Sequence, residues 1–145
     1  MPQMPPLSDE ALKDLLSKPH WAKIATSSPK GSIRISPVAF AAQPDGSLLM
    51  NTYEDSILVR NLRRNPKCSL LIDAPEFPPH GVHYWGTATV EGPENDVSSI
   101  VKTTGRYVEK VFDPSEYAQQ LIGYGKRINV RFRPERNTAW DFRQG

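Results

Sequence analysis

The sequence has a single cysteine, Cys68, among 145 residues. That excludes an intrachain disulfide and any metal cluster built from several cysteines of one chain. No apolar run approaches the roughly 20 residues of a membrane-spanning helix. The opening Met-Pro-Gln-Met-Pro-Pro has no basic stretch leading into an apolar one, so no secretory signal is expected. Charge of one sign is scarce as well. Eighteen Lys and Arg against 16 Asp and Glu leave a formal net charge of +2, far from the concentrated basic surface of a nucleic-acid binder. The expectation is a cytoplasmic protein with neither membrane nor nucleic acid as partner.

Chemistry-bearing clusters are also missing. His20, His80 and His83 share no metal-ligand spacing, and they read as surface or structural residues. No serine sits in a Gly-x-Ser-x-Gly frame. The carboxylates form no readable acid–base pair. Cys68 falls in the middle of an expected strand and reads as a buried, inert thiol. No metal site and no catalytic side chain is assigned.

Proline is abundant, with 14 residues. Pro19, Pro29, Pro66, Pro93 and Pro114 stand at the boundaries between patterned segments, as punctuation. A hydrophobic fraction of 38% with 23% charged residues suits a folded domain rather than a disordered chain. No repeat or linker divides it, so residues 1–145 are read as one domain.

A first helix starts at Ser8, whose hydroxyl can cap free N–H groups, with Asp9 and Glu10 at the positive end of the helix dipole. A strand over Trp21–Ser28 follows, then a turn at Ser28-Pro29-Lys30-Gly31. The next strand, Ser32–Ala41, carries Ile33 and Ile35 in one phase and Val38 and Phe40 in the other. The slip falls at Ser36-Pro37, where a bulge or a sheet edge is expected because proline cannot donate to a ladder. Pro44-Asp45-Gly46 turns the chain into Ser47–Thr52. Asp55 or Ser56 caps a helix of about eight residues that Pro66 ends. Lys67–Asp73 and Val82–Glu91 alternate as strands. Pro93–Val111 has helical period. Asp113-Pro114-Ser115-Glu116 opens another helix with a cap, a first-turn proline and a capping-box glutamate, closed by Gly123 and Gly125. Ile128, Val130 and Phe132 alternate with Arg127, Asn129, Arg131 and Arg133, which gives a strand with one solvated or ligand-facing side. A last strand is expected around Ala139–Phe142. Hairpin-length links imply antiparallel pairing. The fold expected is mainly β: six or seven antiparallel strands in a closed or nearly closed barrel with a few peripheral helices.

The most informative stretch runs from Asn51 to Pro66. A strand ends in two small polar residues and a capped helix begins. Its free N–H groups favour an anion such as phosphate, and Arg60, Arg63 and Arg64 are guanidinium donors suited to phosphate or carboxylate. Arginines in a last turn also complement the negative end of a helix, and Asn51 and Thr52 can serve simply to shape a turn. Both readings stand on the residues alone. Arg127, Arg131 and Arg133 are read as a solvated strand face.

These segments, taken in order, resemble the pyridoxamine 5'-phosphate oxidase-like split-barrel superfamily, and within it the flavin/deazaflavin oxidoreductase branch. Leu16–Thr26 is similar to the opening helix and first strand of that family. Gly31–Phe40, with Ile35-Ser36-Pro37-Val38, is similar to its second strand. Arg60-Asn61-Leu62-Arg63-Arg64-Asn65-Pro66 resembles the segment after its cofactor helix. Val82–Gly92 is similar to its long strand. Arg133-Pro134-Glu135-Arg136 with Ala139-Trp140-Asp141 resembles its ending. The resemblance implies a split barrel that forms a homodimer, with FMN or the deazaflavin coenzyme F420 in a groove between subunits. It implies hydride transfer to or from a small conjugated substrate. It places Ser36, Pro37 and Val38 along the ring, and Asn51, Thr52, Ser56, Arg60 and Asn61 near the ribityl chain and phosphate. Where many members carry a phosphate-binding lysine, this chain has Leu58. That departure, with the missing acid–base group, keeps an alternative open: a non-catalytic barrel that binds or carries flavin, haem or another planar ligand.

Overall fold

The computed structural model describes residues 3–143. Among them are seven strands and four helices: α1 (Asp9–Ser17), β1 (Ala22–Ser27), β2 (Ile33–Val38), β3 (Phe40–Ala42), β4 (Leu48–Tyr53), α2 (Ile57–Arg64), β5 (Lys67–Asp73), β6 (His80–Glu91), α3 (Val97–Val108), α4 (Pro114–Tyr124) and β7 (Arg127–Asp141). Every strand pairing is antiparallel, in the order β2-β1-β5-β6-β7-β4-β3. No helix among the described residues is long and apolar enough to cross a membrane.

The outermost strands of that order, β2 and β3, are joined through Ala39 alone. A flat seven-stranded sheet would hold its outer strands about 29 Å apart, whereas the two steps from Val38 to Phe40 span at most about 7 Å. The sheet therefore curls until its edges meet, and the expected split barrel is what forms. Ile24, Phe40, Met50, Leu70, Val82, Val130 and Phe132 fill its interior, and Leu15 of α1 and Leu58 and Leu62 of α2 pack into the same core.

Three expectations need correction. The strand expected over 32–41 is two strands, broken at Ala39. Of the bulge or sheet edge expected at Ser36-Pro37, the edge is what occurs: the register runs evenly from Ile33 opposite Ser27 to Val38 opposite Ala22. Pro37 is tolerated because β2 is an edge strand with β1 as its one partner. The two strands expected at the carboxyl end are one, β7, with an irregularity where Gly86 faces Pro134 and Trp85 faces Arg136, leaving Glu135 as the extra residue. Gly86 is needed there, since a Cβ would run into the carbonyl oxygen of Arg133 and the ring of Phe132. Finally, α3 starts at Val97, after a cap at Asp96, rather than at Pro93.

Helix α2 shows how sequence sets orientation. Ser56, not Asp55, caps it by accepting from the Val59 N–H at 3.2 Å. Leu58, Val59, Asn61 and Leu62 turn inward, while Ile57, Arg60, Arg63 and Arg64 turn outward. Leu58 is 4% exposed, so it faces the core and not a phosphate, which corrects the expectation attached to that position. Leu58→Lys would place an ammonium in the core, at a cost of roughly 3 kcal/mol or more. The variant is expected to unfold at lower urea concentration than the parent without any gain in FMN or F420 affinity; unchanged stability would show that residue 58 is not packed inward.

Candidate functional site

A cavity of about 350 Å³ lies where the starts of β1 and β7 meet the ends of β2 and β4, beneath α3 and α4. That volume suits a small ligand. Pro37 and the half-exposed Trp21 form its rim, together with Val38 and Thr52. Tyr107 and Val108 of α3 and Tyr117 and Leu121 of α4 are its walls. Asn51, 4% exposed, and Arg127, 6% exposed, are its floor.

The floor is a hydrogen-bonded unit. Arg127 Nε donates to Asn51 Oδ1 at 2.8 Å, and Nη2 donates to the Asn51 carbonyl at 3.1 Å. The guanidinium lies over the Tyr53 ring, 4.4 Å from its centroid, a cation–π arrangement. Asn51 is fixed in turn, because its Nδ2 donates to Asn129 Oδ1 at 2.9 Å. Asn129 Nδ2 donates to Ser99 Oγ, and Ser99 Oγ donates to Asp96 Oδ2 at 2.6 Å. The backbone of Arg127 is held as well. Its N–H donates to Asn95 Oδ1, and its carbonyl accepts from the Asn95 N–H, both at 2.9 Å. Asn95 has φ 56°, a left-handed conformation that asparagine adopts more readily than most residues. Burial pulls the Arg127 pKa below its ordinary value, and the neighbouring Tyr53 offsets only part of that.

The walls are pinned to the barrel. Tyr107 Oη donates to the His20 carbonyl at 2.7 Å and accepts from the Phe40 N–H at 3.1 Å. Its ring meets Trp21 at 5.0 Å between centroids. Burial raises the Tyr107 pKa, against the opposing pull of Phe40 and Arg106, so the phenol stays protonated. Arg106 donates to the Leu16 carbonyl at 2.9 Å and to the Phe40 carbonyl. These contacts tie α3 to the end of α1 and to the start of β3.

Four of the residues expected at the site line this cavity: Pro37, Val38, Asn51 and Thr52. The other four do not. Ser36 is half-buried opposite Ile24. Ser56 caps α2. Asn61 is buried and donates to Thr26 Oγ1 at 3.1 Å. Arg60 is exposed and paired with Asp55 at 2.7 Å. The outward side of α2 is thus a second, cationic patch, where Arg63 meets Glu54 and Arg64 meets the Ser27 carbonyl.

Arg127 is the cavity residue that sequence reasoning misplaced. It was expected on a solvated face with Arg131 and Arg133. Arg131 does reach a carboxylate, Glu91, at 2.9 Å, and Arg133 is exposed, but α3 and α4 cover Arg127 and Asn129. Alternation assigns a side of a strand and not what lies over it. The available signal was the short link Gly125-Lys126, which returns α4 directly onto the start of this strand.

The remaining candidates are quiet. Burial, with Glu135 adding to it, pushes the Cys68 thiol up to about 12, which keeps it unreactive as a nucleophile. His83 bonds Ser69 at 2.7 Å on the outer face of the sheet. Burial and then Arg136 lower its pKa. No group of residues able to hold a metal ion occurs among the described residues.

A planar group bearing negative charge fits this set of donors. The rim and walls supply flat apolar surface, and no acidic residue lines the cavity.

Comparison with known proteins gives a consistent result. The sequence profile of the pyridoxamine 5'-phosphate oxidase family matches residues 8–141. No curated protein matches the chain by sequence. Among solved structures, the conserved hypothetical protein Rv2991 of Mycobacterium tuberculosis superposes with a TM-score of 0.79 at 23% identity, covering 99% of this chain and 91% of that one. A protein named F420 reductase superposes at 0.70 with 21% identity, over 90% of this chain and 98% of the other. HutZ, the haem storage protein of Vibrio cholerae, superposes at 0.68 with 16% identity, over 90% and 92%. At such identities the structures establish a shared fold, and the profile match extends over nearly the whole chain: this protein belongs to the pyridoxamine 5'-phosphate oxidase-like split-barrel family.

Proposed function

We propose that this protein is a cytoplasmic, homodimeric oxidoreductase that uses FMN or coenzyme F420 and transfers hydride to or from a small conjugated substrate. The observation that carries this reading is the cavity itself, with exposed Pro37 and half-exposed Trp21 at its rim beside buried Val38, and a buried cationic floor at Asn51–Arg127. The bound flavin or deazaflavin supplies the hydride chemistry, and the protein supplies orientation and shielding. Ser36, Pro37 and Val38 form the edge against which the ring rests. Pro37 carries no N–H, so its backbone can lie against an apolar ring without leaving a donor unpaired. Asn51 and Thr52 face the chain that leaves the ring. Ser56 and Asn61 hold α2 in place. Arg60 is the cation available to a phosphate, because its partnership with Asp55 is exposed and worth only about 0–1 kcal/mol.

The second subunit is proposed from the outer face of the sheet. Ile33 and Ile35 are 67% and 68% exposed on the edge strand β2, in the same phase as Pro37. Across the ladder from Ile35 come Ala25, Ser69, Trp85 and Arg136. Leu71, His83, Trp85, Thr138 and Trp140 line an adjoining depression with Met4. Such an apolar stretch beside an unpaired edge invites a partner. Because Pro37 belongs both to this face and to the rim, a second copy seated here adjoins the cavity.

A second reading, a non-catalytic carrier of flavin, haem or another planar ligand, is favoured by the absence of His, Cys, Asp, Glu and Lys from the lining. That leaves no evident acid, base or nucleophile beyond the tyrosines. Titration of the purified protein with FMN and with F420, followed by visible absorption, tests both. Saturable binding of one is expected, with turnover when a conjugated acceptor is added. Binding without turnover selects the carrier, and saturation by neither sinks the redox reading. Light scattering is expected to give a dimer that Ile35→Glu converts to a folded monomer; a monomeric parent contradicts the proposed assembly.

A further inference from the structure

The floor of the cavity holds a positive charge with no charge opposite it. Among the described residues no carboxylate pairs with Arg127. Its hydrogen bonds reach a negative group, Asp96, only at the end of a relay through Asn51, Asn129 and Ser99. Buried arginines are ordinarily paired, because an isolated charge is costly to desolvate. Asn51 engages Nε and Nη2, and the Tyr53 side chain is the other neighbour of the guanidinium, so every partner it has among the described residues is uncharged. The guanidinium is also immobilised: Asn51 is held by Asn129, and the Arg127 backbone is clamped by Asn95. This is a preorganised cation without a counter-charge, and it lines the cavity.

The surroundings define the ligand that suits it. The walls, Tyr107, Tyr117 and Leu121, are flat or apolar. The lining holds no second Arg or Lys and no His, so one negative charge is matched and a dianionic phosphate is not. We propose that Arg127 anchors the carboxylate of a planar, conjugated substrate lying between the floor and the rim at Pro37–Val38. A carboxylate accepts two guanidinium N–H bonds in one plane, and the conjugated part of the molecule then points toward the rim. The proposal rests on the redox reading for the word substrate, while the anchor rests on the cavity alone.

The test uses cinnamate and cinnamamide, which share a shape and differ in charge. Calorimetric titration of the cofactor-free and cofactor-saturated protein is expected to show cinnamate binding at least about tenfold more tightly than the amide, the loss that follows from removing a charge-assisted hydrogen bond. Arg127→Met should abolish the difference. Arg127→Lys, which keeps the charge without the planar fork, should retain part of it. The parent comparison stands even if either variant folds poorly. Equal affinities, no binding of either probe, or displacement of cinnamate by FMN or F420 would overturn the proposal. Flavin binding is read on the same samples. Cinnamate discrimination without any cofactor binding removes the redox reading and leaves the anchor, whereas cofactor binding without discrimination removes the anchor alone.

Discussion

The one-residue connection at Ala39 governs this fold. Were β2 and β3 joined by a long loop, the seven strands could form an open twisted sheet. With Ala39 alone between Val38 and Phe40, the sheet has to curl, and its two edges are brought side by side. That closure packs Phe40 and Phe132 into one interior. It also puts Pro37 and Val38 next to Asn51 and Thr52, although four strands stand between β2 and β4 in the sheet order. The cavity is a consequence of the closure, since a sheet that bends this sharply leaves space at the end of the barrel for helices to cover.

Helices α3 and α4 supply that cover, and polar contacts hold it. Arg106 and Tyr107 fix α3 to carbonyls of Leu16, Phe40 and His20. Beneath, the relay from Arg127 through Asn51, Asn129 and Ser99 to Asp96 joins β7, β4 and the start of α3. A buried network of this kind is tolerated when its members are satisfied. Here the guanidinium at its inner end has only uncharged partners, and it lines the cavity.

Much of this was legible in the sequence. Period-two alternation, capping residues at Ser8, Ser56 and Asp113, and the turn residues between strands mark nearly every element. The mainly β barrel follows from their order. What was not legible depends on the third dimension. The phase change between Ile35 and Val38 reads as a slip in one strand, whereas it records a strand whose outward residues, Ile33, Ile35 and Pro37, are apolar while Val38 turns inward to the core. Leu58 occupies a position associated with a phosphate contact, yet the helical period turns it inward with Leu62. Arg127 looks equivalent to Arg131 and Arg133, and only the return of α3 and α4 over the start of β7 sets it apart. Of the expected site, Pro37, Val38, Asn51 and Thr52 gather at the cavity because two strands end there. Ser36, Ser56, Arg60 and Asn61 lie outside its lining because α2 runs along a different flank.

The central claim is that a planar cofactor rests on the rim of this cavity, above a floor charged by Arg127. A crystal structure of the protein saturated with FMN or F420 tests it most directly. The account predicts the ring against Pro37 and Val38, beside a second subunit, with the Arg127 guanidinium still bonded to Asn51 and open toward the space below the ring. A ring bound elsewhere on the barrel, or a carboxylate of the protein closed onto Arg127, would contradict it.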